Sequence, residues 1–424
     1  MQTCAIQTLA IGLCSAPLRT AITGITRWLV SIRCIALRPH LLSNRNSYAS
    51  HWVARMLTVF CAPARYVQGR DATMSLASEL SRLGIAGKAL IIASPTARKT
   101  LEPVWRETFP AAGLDYAILD FGGECSFAEI ARGKEEARRV SAASIVGAGG
   151  GKTLDAARAV AAELALPVAC CPTTASSDAP CSALSVVYSE DGVFEKCLFY
   201  RRNPDLVLVD STVIARAPVR LLISGMGDAL ATFFEADATI RAHRNNVSGG
   251  LSTIAAAAIA ELCYKTLLND GIAAVAAART GSITPALERI IEANTLLSGL
   301  GFESGGLAVA HSVHNGLTAA PETHDRLHGE KVAFGTLVQL VLEGRPRSTV
   351  DEAMGFCLSV GLPVTLAELG LAHLSRETAR AIAARAVAVG ESAHNEPFEV
   401  TAATLLDAIY AADSMGAAFK ARAS

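Results

Sequence analysis

Four of the nine histidines lie within eighteen residues, at His311, His314, His324 and His328, among Ala, Val and Gly. A single histidine in such surroundings is usually a core or capping residue, but four so close together favour a metal site. His311 and His314 are spaced i, i+3, and His324 and His328 are spaced i, i+4, so either pair could share one face of a helix. A catalytic zinc takes three protein ligands and keeps one open position. The cluster therefore predicts a zinc-type site.

An acidic ligand for this site could come from Asp228, within the segment Gly225-Met-Gly-Asp-Ala. The flanking glycines and apolar residues resemble the start of a helix. A carboxylate in that setting is either an N-terminal cap or a metal ligand. The residues alone leave both alternatives open.

A glycine-rich loop at residues 147–151 follows an apolar run, and a helix is predicted to begin at Lys152 or Thr153. Glycines allow the backbone to approach a ligand, and a helix N-terminus offers free N–H groups and a positive dipole to an anion. The spacing is neither Walker A nor GxGxxG. A tight βα turn is the alternative, but three consecutive glycines followed by Lys152 favour a diphosphate site. Lys152 could pair with phosphate, and Asp155 could hydrogen-bond a cofactor or substrate group.

A second polar loop, at residues 172–182, is rich in Thr and Ser and follows the next apolar run. Ligands of open α/β sheets bind at the carboxyl ends of the strands, where hydroxyl groups can hold ribose and phosphate oxygens. An ordinary Ser/Thr turn is the alternative. The residues of this loop alone leave both interpretations open.

Alternating apolar runs and helical stretches indicate the elements that position these loops. Short apolar runs predict strands, and Ala-, Glu- and Arg-rich stretches between them predict helices, so residues 56–217 are predicted to form an α/β dinucleotide-binding domain with a mostly parallel sheet. Residues 218–424 show helical periodicity and no convincing strand, which predicts an all-α domain for metal and substrate. The predicted strands are residues 88–93, 116–121, 144–147, 168–171 and 206–210, and the clearest predicted helices of the first half are residues 127–140 and 153–164.

Composition limits the class of protein. The 424 residues have a formal net charge of −1, with 18% charged and 51% hydrophobic residues. A balanced charge argues against nucleic acid or an anionic membrane as the main partner, and the apolar content argues against general disorder. No uninterrupted apolar run reaches the ~18 residues of a membrane span. A soluble, compact, helix-rich protein is expected.

Residues 1–55 differ from the rest, with six Arg, no Lys and no acidic residue. The chain from Met56 onward has 32 basic and 39 acidic residues, a net charge of −7. Such an N-terminus is typical of a transit peptide, and the alternative is that translation begins at Met56. Either way, residues 1–55 are predicted to be a leader outside the folded protein. Without a genuine transit peptide, a cytoplasmic location is expected.

Eleven cysteines are scattered without CxxC or zinc-finger spacing. Buried free thiols are the expected state of most of them, because no disulfide framework is indicated.

Several separated motifs together resemble the metal-dependent polyol branch of the iron-containing alcohol dehydrogenase superfamily, whose architecture is dehydroquinate-synthase-like. The resemblance extends from about Met56 to the C-terminus. It implies an α/β nucleotide-binding domain and an all-α metal-binding domain. The motifs are Phe121-Gly-Gly-Glu-Cys125, the glycine loop at 149–155, and residues 176–185, 203–205, 225–235, 292–294, 301–306, 311–316 and 328–331.

The resemblance implies one Zn²⁺ per subunit, held by Asp228, His311 and His328, with Fe²⁺ or Mn²⁺ as possible substitutes. His314 and His324 would then be supporting residues. Iron-dependent relatives carry a further histidine four residues after the ligand aspartate, and Thr232 stands there in this chain. This departure favours the three-ligand zinc version.

For the cofactor, the resemblance implies NAD. Asp178 would face the substrate beside the metal, and the implied catalytic residues are Asp178, Asp228 and His311. Relatives carry an aspartate after the first strand to bind the adenosine ribose, whereas this chain has Ser94 there, with Arg98 and Lys99 nearby. Loss of that carboxylate weakens the expected discrimination against NADP. The implied NAD-binding residues are Gly150, Gly151, Lys152, Asp155, Thr173, Ser176, Ser182, Leu184 and Tyr188.

The implied reaction is NAD-dependent oxidation of a vicinal diol, most simply glycerol to dihydroxyacetone. The expected partners are a small polyol and further copies of the same chain, in a homo-oligomer such as an octamer, without nucleic acid or membrane. One alternative is a dehydroquinate-synthase-like lyase, which would need basic residues around a phosphorylated, carboxylated substrate. Another is a metal- and nucleotide-binding protein without turnover. Around Asp228 and His311 the sequence has mostly small residues, Phe, His and Asn, which favours a neutral polyol.

Overall fold

The computed structural model describes residues 57–423. The predictions made for residues 1–55, both the transit peptide and the alternative start at Met56, lie outside this range.

The N-terminal half is built on a six-stranded parallel sheet with the strand order β1-β8-β5-β4-β2-β3. A separate antiparallel hairpin pairs β6 with β7. The predicted mostly parallel sheet is therefore confirmed. The strands are β1 (Tyr66–Gly69), β2 (Lys88–Ala93), β3 (Asp115–Asp120), β4 (Ser144–Gly149), β5 (Val168–Pro172), β6 (Leu184–Tyr188), β7 (Phe194–Phe199) and β8 (Leu206–Asp210).

The central strands are apolar because helices cover both faces of the sheet. Every residue of β4, β5 and β8 is buried, and β2 is buried from its second residue. Side chains of β2 alternate between two hydrophobic clusters, with Ile91 on one face and Ile92 on the other. The helices of this half are α1 (Leu76–Arg82), α2 (Pro95–Ala111), α3 (Phe127–Arg139), α4 (Gly151–Leu164) and α5 (Ser211–Ala215).

The C-terminal half is helical, as predicted, and no strand follows β8 within residues 57–423. A π-helical turn, Ala293–Leu297, joins two of its helices without a break. The helices are α6 (Val219–Arg241), α7 (Ile254–Arg279), α8 (Pro285–Glu292), α9 (Ser298–Gly305), α10 (Val309–Leu317), α11 (His328–Leu342), α12 (Arg347–Val360), α13 (Arg376–Ala386) and α14 (Ala402–Ala423).

Two glycines let α6 and α11 cross at very short range. A Cβ atom at Gly227 in α6 would lie 2.3 Å from the carbonyl oxygen of Gly329, and a Cβ at Gly329 would lie 1.8 Å from that of Ser224. Only glycine permits backbones to approach this closely. The crossing brings the first residue of α11, His328, against the middle of α6.

The fold class predicted from the sequence, an α/β half followed by an all-α half, is confirmed. The predicted boundary between residues 217 and 218 falls between α5 and α6, and as a domain boundary it stays a prediction. Among the described residues, no helix is long and apolar enough to cross a membrane.

Candidate metal and dinucleotide site

Three ligand-type side chains converge from α6, α10 and α11. The Nε2 atoms of His328 and His311 lie 3.1 and 3.3 Å from Oδ1 of Asp228. One donor atom from each of the three residues lies within 4.8 Å of the others. Two imidazole nitrogens and a carboxylate oxygen are a donor set that suits zinc and leave a position open. These are the three residues that the resemblance implied as metal ligands.

Asp228 lies in the interior of α6, nine residues after the first, Val219. The expectation that Asp228 stands at a helix start is therefore wrong, and so is the capping alternative. Gly225 and Gly227 suggested a helix start, but they serve close packing. A Cβ at Gly225 would lie 1.9 Å from the carbonyl oxygen of Ala175, and Gly227 faces Gly329.

The Asp228 carboxylate is fully buried. Burial alone raises its pKa, but the imidazoles of His328 and His311 outweigh burial and hold that pKa below its ordinary value. Oδ2 of Asp228 accepts a hydrogen bond from the backbone N–H of Asp178, at 3.1 Å. Asp228 is thus an ionised, fixed carboxylate whose Oδ1 faces the two imidazoles.

His311 is oriented by Glu235, which lies seven residues, or about two helical turns, further along α6 than Asp228. Nδ1 of His311 donates to Oε2 of Glu235 at 2.6 Å, while Oε1 of Glu235 accepts the backbone N–H groups of Ala308 and His311. Burial lowers the pKa of His311, but the two carboxylates raise it well above its ordinary value. A carboxylate behind a histidine ligand fixes the tautomer and increases its basicity, and leaves Nε2 for the metal.

His328 is oriented by a chain of side chains through His314. Nδ2 of Asn315 donates to Glu391, so its Oδ1 faces His314 and accepts from Nδ1 at 3.1 Å. Nε2 of His314 is then an acceptor for Nδ1 of His328, at 3.0 Å. Burial, with His328 nearby, holds the pKa of His314 well below its ordinary value, so His314 stays neutral. His328 therefore presents its Nε2 atom toward Asp228.

His324 lies apart from the other three histidines. Its Nε2 atom is 3.2 Å from the carbonyl oxygen of Thr318, and the ring is exposed. Since α11 begins at His328, the two do not share one helix, and the idea that they share a helical face is wrong. Thr232, in place of a further histidine, hydrogen-bonds Ser298 at 2.8 Å.

Asp178 follows β5 and lies beside the three ligands. Its carboxylate Oδ2 accepts from the hydroxyl of Ser298 at 2.9 Å. Burial and the charge of Asp228 raise the pKa of Asp178 well above its ordinary value. The structure thus brings Asp178 to the same cluster as Asp228 and His311, the three predicted catalytic residues. Their catalytic roles stay predictions.

The glycine loop links β4 to α4, at the carboxyl edge of the sheet. Gly147 and Gly149 serve packing, because added Cβ atoms would lie 2.7 Å from Ala157 and 2.5 Å from Thr153. At Gly150 and Gly151 the nearest atoms would be 3.8 to 4.0 Å away, on the 172–182 loop. These two glycines are therefore uncrowded, and they stand at the first turn of α4, where the leading N–H groups of Gly151 and Lys152 lack intrahelical partners. This cradle fits a diphosphate.

Lys152 and Asp155 lie on α4 but differ in surroundings. Lys152 is half exposed and forms an ion pair with Glu124. Asp155 is buried and paired with Arg158, whose guanidinium donates to the carbonyl oxygens of Ala179 and Ser182. The Asp155–Arg158 pair therefore ties α4 to the polar loop after β5. Direct contact of Asp155 with a cofactor stays a prediction.

The remaining predicted cofactor residues lie on the 172–182 loop or on β6. The backbone N–H of Thr173 donates to the carbonyl of Gly149, and Ser176 lies 3.2 Å from the hydroxyl of Thr174. Ser182 is fully buried and donates to the carbonyl of Ala179, while Leu184 and Tyr188 begin and end β6. Roles of these residues in NAD binding stay predictions.

Sequence reasoning assigned no role to Glu235, Ser298 or Asn294, which support the site. Asn294 lies in the π-helical turn and donates to the carbonyl oxygens of Ala175 and Leu222, at 3.0 Å each. It holds the 172–182 loop against the start of α6. A signal was present for Glu235, because it stands seven residues after Asp228 and so on the same face of a helix.

Comparisons with known proteins agree with this architecture. The family model "Iron-containing alcohol dehydrogenase" matches residues 63–211. Glycerol dehydrogenase of Thermotoga maritima is 49% identical over 365 residues, which cover 85% of this chain and 98% of that protein. The crystal structure of a glycerol dehydrogenase from Schizosaccharomyces pombe is 39% identical with a TM-score of 0.84, covering 87% of this chain and 93% of that chain.

A probable glycerol dehydrogenase from Sinorhizobium meliloti, also a crystal structure, is 41% identical with a TM-score of 0.81 and covers 85% of this chain and all of that chain. The expected architecture is thus shared with solved structures over nearly their whole length. With this level of identity and coverage, the chain belongs to the iron-containing alcohol dehydrogenase family of oxidoreductases.

Proposed function

We propose that the chain is an NAD-dependent dehydrogenase that oxidises glycerol and related vicinal diols, with glycerol giving dihydroxyacetone. The observation that carries the proposal is the meeting of Asp228, His311 and His328 beside the 172–182 loop, which borders the glycine loop. The extensive identity to proteins named glycerol dehydrogenase supports this substrate.

A divalent ion, which we propose is zinc, would supply Lewis acidity toward the diol hydroxyls, and NAD would accept the hydride. The donor set supports zinc, since Asp228 is ionised and His311 and His328 each present Nε2. Fe²⁺ or Mn²⁺ could occupy the same ligands.

The protein's own residues would orient the substrate. Oδ2 of Asp178 is held by Ser298, which leaves Oδ1 to hydrogen-bond a substrate hydroxyl. Asp228 is held by the backbone N–H of Asp178, so the metal ligand and this carboxyl group are fixed relative to each other. Adjacent hydroxyls of a diol would therefore be bound in one orientation. Such positioning is worth several powers of ten in rate.

The environment supports a neutral substrate rather than a phosphorylated one. Among the described residues, no Lys or Arg forms a hydrogen bond or ion pair with Asp178, Asp228, His311 or His328. The contacts are carboxylates, imidazoles, a hydroxyl and backbone N–H groups. A dehydroquinate-synthase-like lyase, which needs several cations for its substrate, is therefore disfavoured.

Replacement of His311 tests the proposal. His311→Ala removes one of three ligands, so we expect loss of bound metal and of NADH formation from glycerol. Metal content by mass spectrometry and NADH absorbance measure both, and His324→Ala, an exposed histidine outside the cluster, is the matched control. Circular dichroism should show the same fold for both variants. Full activity of metal-free His311→Ala would overturn the assignment.

A further inference from the structure

An ion pair stands at the entrance to the glycine cradle and is not explained by metal binding or substrate orientation. Nζ of Lys152, the second residue of α4, is hydrogen-bonded to Oε1 of Glu124, in the loop that joins β3 to α3. The two side chains are 45% and 28% exposed. The pair therefore lies at the surface beside the glycine cradle, within reach of a ligand bound over Gly150 and Gly151.

The β6–β7 hairpin fixes the position of Glu124. The backbone N–H of Tyr188 donates to the carbonyl of Cys125 at 2.9 Å, which holds the loop against the end of β6. At the tip of the hairpin, Gly192 borders Glu124, since an added Cβ would be in van der Waals contact with Oε1 of Glu124 at 3.6 Å. Oε2 of Glu124 is buried and has no hydrogen-bond partner among the described residues. Glu124 is thus a fixed acceptor that can hold a cation.

Lys152 is held from two sides. Its ammonium contacts Glu124 and lies 5.0 Å from the centre of the Tyr188 ring, a cation–π distance. Both partners lie on the hairpin side of α4. The ammonium is therefore drawn toward the hairpin rather than left free to extend over Gly150 and Gly151.

The charge balance at the cradle follows from this arrangement. A lysine after three glycines would be expected to neutralise a bound diphosphate, but here its charge is already paired with Glu124. A diphosphate must then rely on the N–H groups and dipole of α4, or compete with Glu124 for the ammonium. Either route weakens binding relative to a free lysine.

We propose that Glu124 is a positioning residue that holds the Lys152 ammonium aside and thereby lowers the affinity of the cleft for the cofactor diphosphate. Weaker binding favours release of the reduced dinucleotide, a step that limits turnover in many enzymes. The proposal rests on the proposed function only in that a dinucleotide occupies the cradle.

Binding of ADP and of adenosine, by isothermal titration calorimetry, tests this role in the full-length protein. We expect Glu124→Gln to lower the Kd of ADP by about fivefold, the scale of an exposed ion pair, and to leave the Kd of adenosine unchanged. A general structural disturbance would change both. The matched control is Glu195→Gln, which removes one exposed charge from β7 of the same hairpin and should change neither.

The dependence on Lys152 is tested in a Lys152→Met background. We expect Glu124→Gln to give little gain in ADP affinity there, because the residue acts through the ammonium. An equal gain in that background, or unchanged or weaker ADP binding by Glu124→Gln alone, would overturn the proposal. If the unaltered protein bound neither ADP nor NAD, the proposed function would fail. Normal binding without a Glu124 effect would refute only this inference.

Discussion

Glu396 is a residue whose burial has a thermodynamic consequence of its own. Its side chain is almost completely buried. Burial, together with the nearby carboxylates of Glu343 and Glu235, raises its pKa to about 8, against the opposing effect of Arg241. Glu396 is therefore protonated in the folded protein at neutral pH.

Replacement of Glu396 by Gln should remove part of the pH dependence of stability. The unfolded carboxyl loses its proton near its ordinary pKa of 4.5, but the folded one keeps it until about pH 8. The unaltered protein thus loses stability as pH rises from about 4.5 to 8, by roughly 5 kcal/mol. Glu396→Gln has no such loss, so we expect it to be the more stable protein at pH 9.

Denaturant unfolding at pH 5, 7 and 9 measures this difference. Glu399→Gln, at an exposed position three residues away, is the control and should keep the pH dependence of the unaltered protein. Parallel stability profiles for Glu396→Gln and the unaltered protein would contradict the expectation.

The sequence predicted the metal ligands more fully than the residues that hold those ligands in place. The four histidines in an apolar segment are conspicuous and Asp228 was a candidate acid, but only the resemblance selected His311 and His328 from among the four. Glu235 had only its place on the same face of α6 as Asp228 to indicate it, and Ser298 had no such signal. Their partners depend on how α6, α9 and α10 pack against one another.

Among the elements, the crossing of α6 and α11 sets the distance between Asp228 and His328. Gly329 follows His328 directly, and its hydrogen faces the carbonyl oxygen of Ser224. The two helices can therefore hold their ligands 3.1 Å apart only while this position lacks a side chain.

Gly329→Ala should separate the two helices and weaken the metal site. The added Cβ would lie 1.8 Å from a backbone oxygen, so α11 must move and carry His328 with it. We expect zinc affinity to fall by at least about tenfold, the scale of a disturbed ligand shell. We also expect a loss of roughly 1–3 kcal/mol of stability from overpacking.

Gly355→Ala, in the interior of α12, is the matched control. There an added Cβ would meet only Phe419, at 3.7 Å, so helix propensity should raise stability by about 0.5–1 kcal/mol. Zinc titration and denaturant unfolding measure both quantities. Unchanged zinc affinity in Gly329→Ala would show that the crossing does not set the ligand geometry.

The sequence analysis missed the strands that lack a continuous apolar run. β2, β4, β5 and β8 are buried on both faces and stood out, whereas β1, with the sequence Tyr-Val-Gln-Gly, is half buried at the sheet edge. The hairpin of β6 and β7 was also missed, because its strands are partly exposed and β7 contains Glu and Lys. The helix predicted from Lys152 or Thr153 begins at Gly151, since a glycine can occupy a first turn.

Free thiols were predicted, and all eight cysteines in the described part of the chain are unpaired, six of them buried.

At the scale of the whole molecule, the strand order fixes the direction in which a dinucleotide would lie. The glycine loop follows β4, which has β5 on one side and β2 on the other. Asp178 follows β5 and contacts Asp228, so the nicotinamide would lie on that side, next to the metal. The adenosine would therefore lie over the ends of β2 and β3, at Ser94 and Asp120.

Where the adenosine would lie, no carboxylate follows β2, because Ser94 stands there. Ser94 caps α2, accepting from the backbone N–H of Ala97 at 3.3 Å. Arg98 donates to Asp120 at 2.6 Å. Arg98, Lys99 and Asp120 line a shallow cavity of about 500 Å³. An acid at the end of such a strand binds the ribose hydroxyls and repels a 2′-phosphate, whereas a nearby Arg accommodates that phosphate. We expect NAD to be preferred over NADP, but by a small margin.

Ser94→Asp should widen that margin. The new carboxylate can still cap α2, because Asp is as good a cap as Ser, so the fold should be unaffected. Its charge would repel the 2′-phosphate, and we expect kcat/KM for NADP to fall about tenfold or more while that for NAD holds or rises.

Ser94→Asn, a neutral cap of the same size as Asp, is the control and should keep the original ratio. Initial rates of NADH and NADPH formation from glycerol measure both cofactors. An unchanged ratio in Ser94→Asp would contradict the direction assigned to the dinucleotide, and faster turnover of NADP than of NAD by the unaltered protein would contradict the choice of NAD.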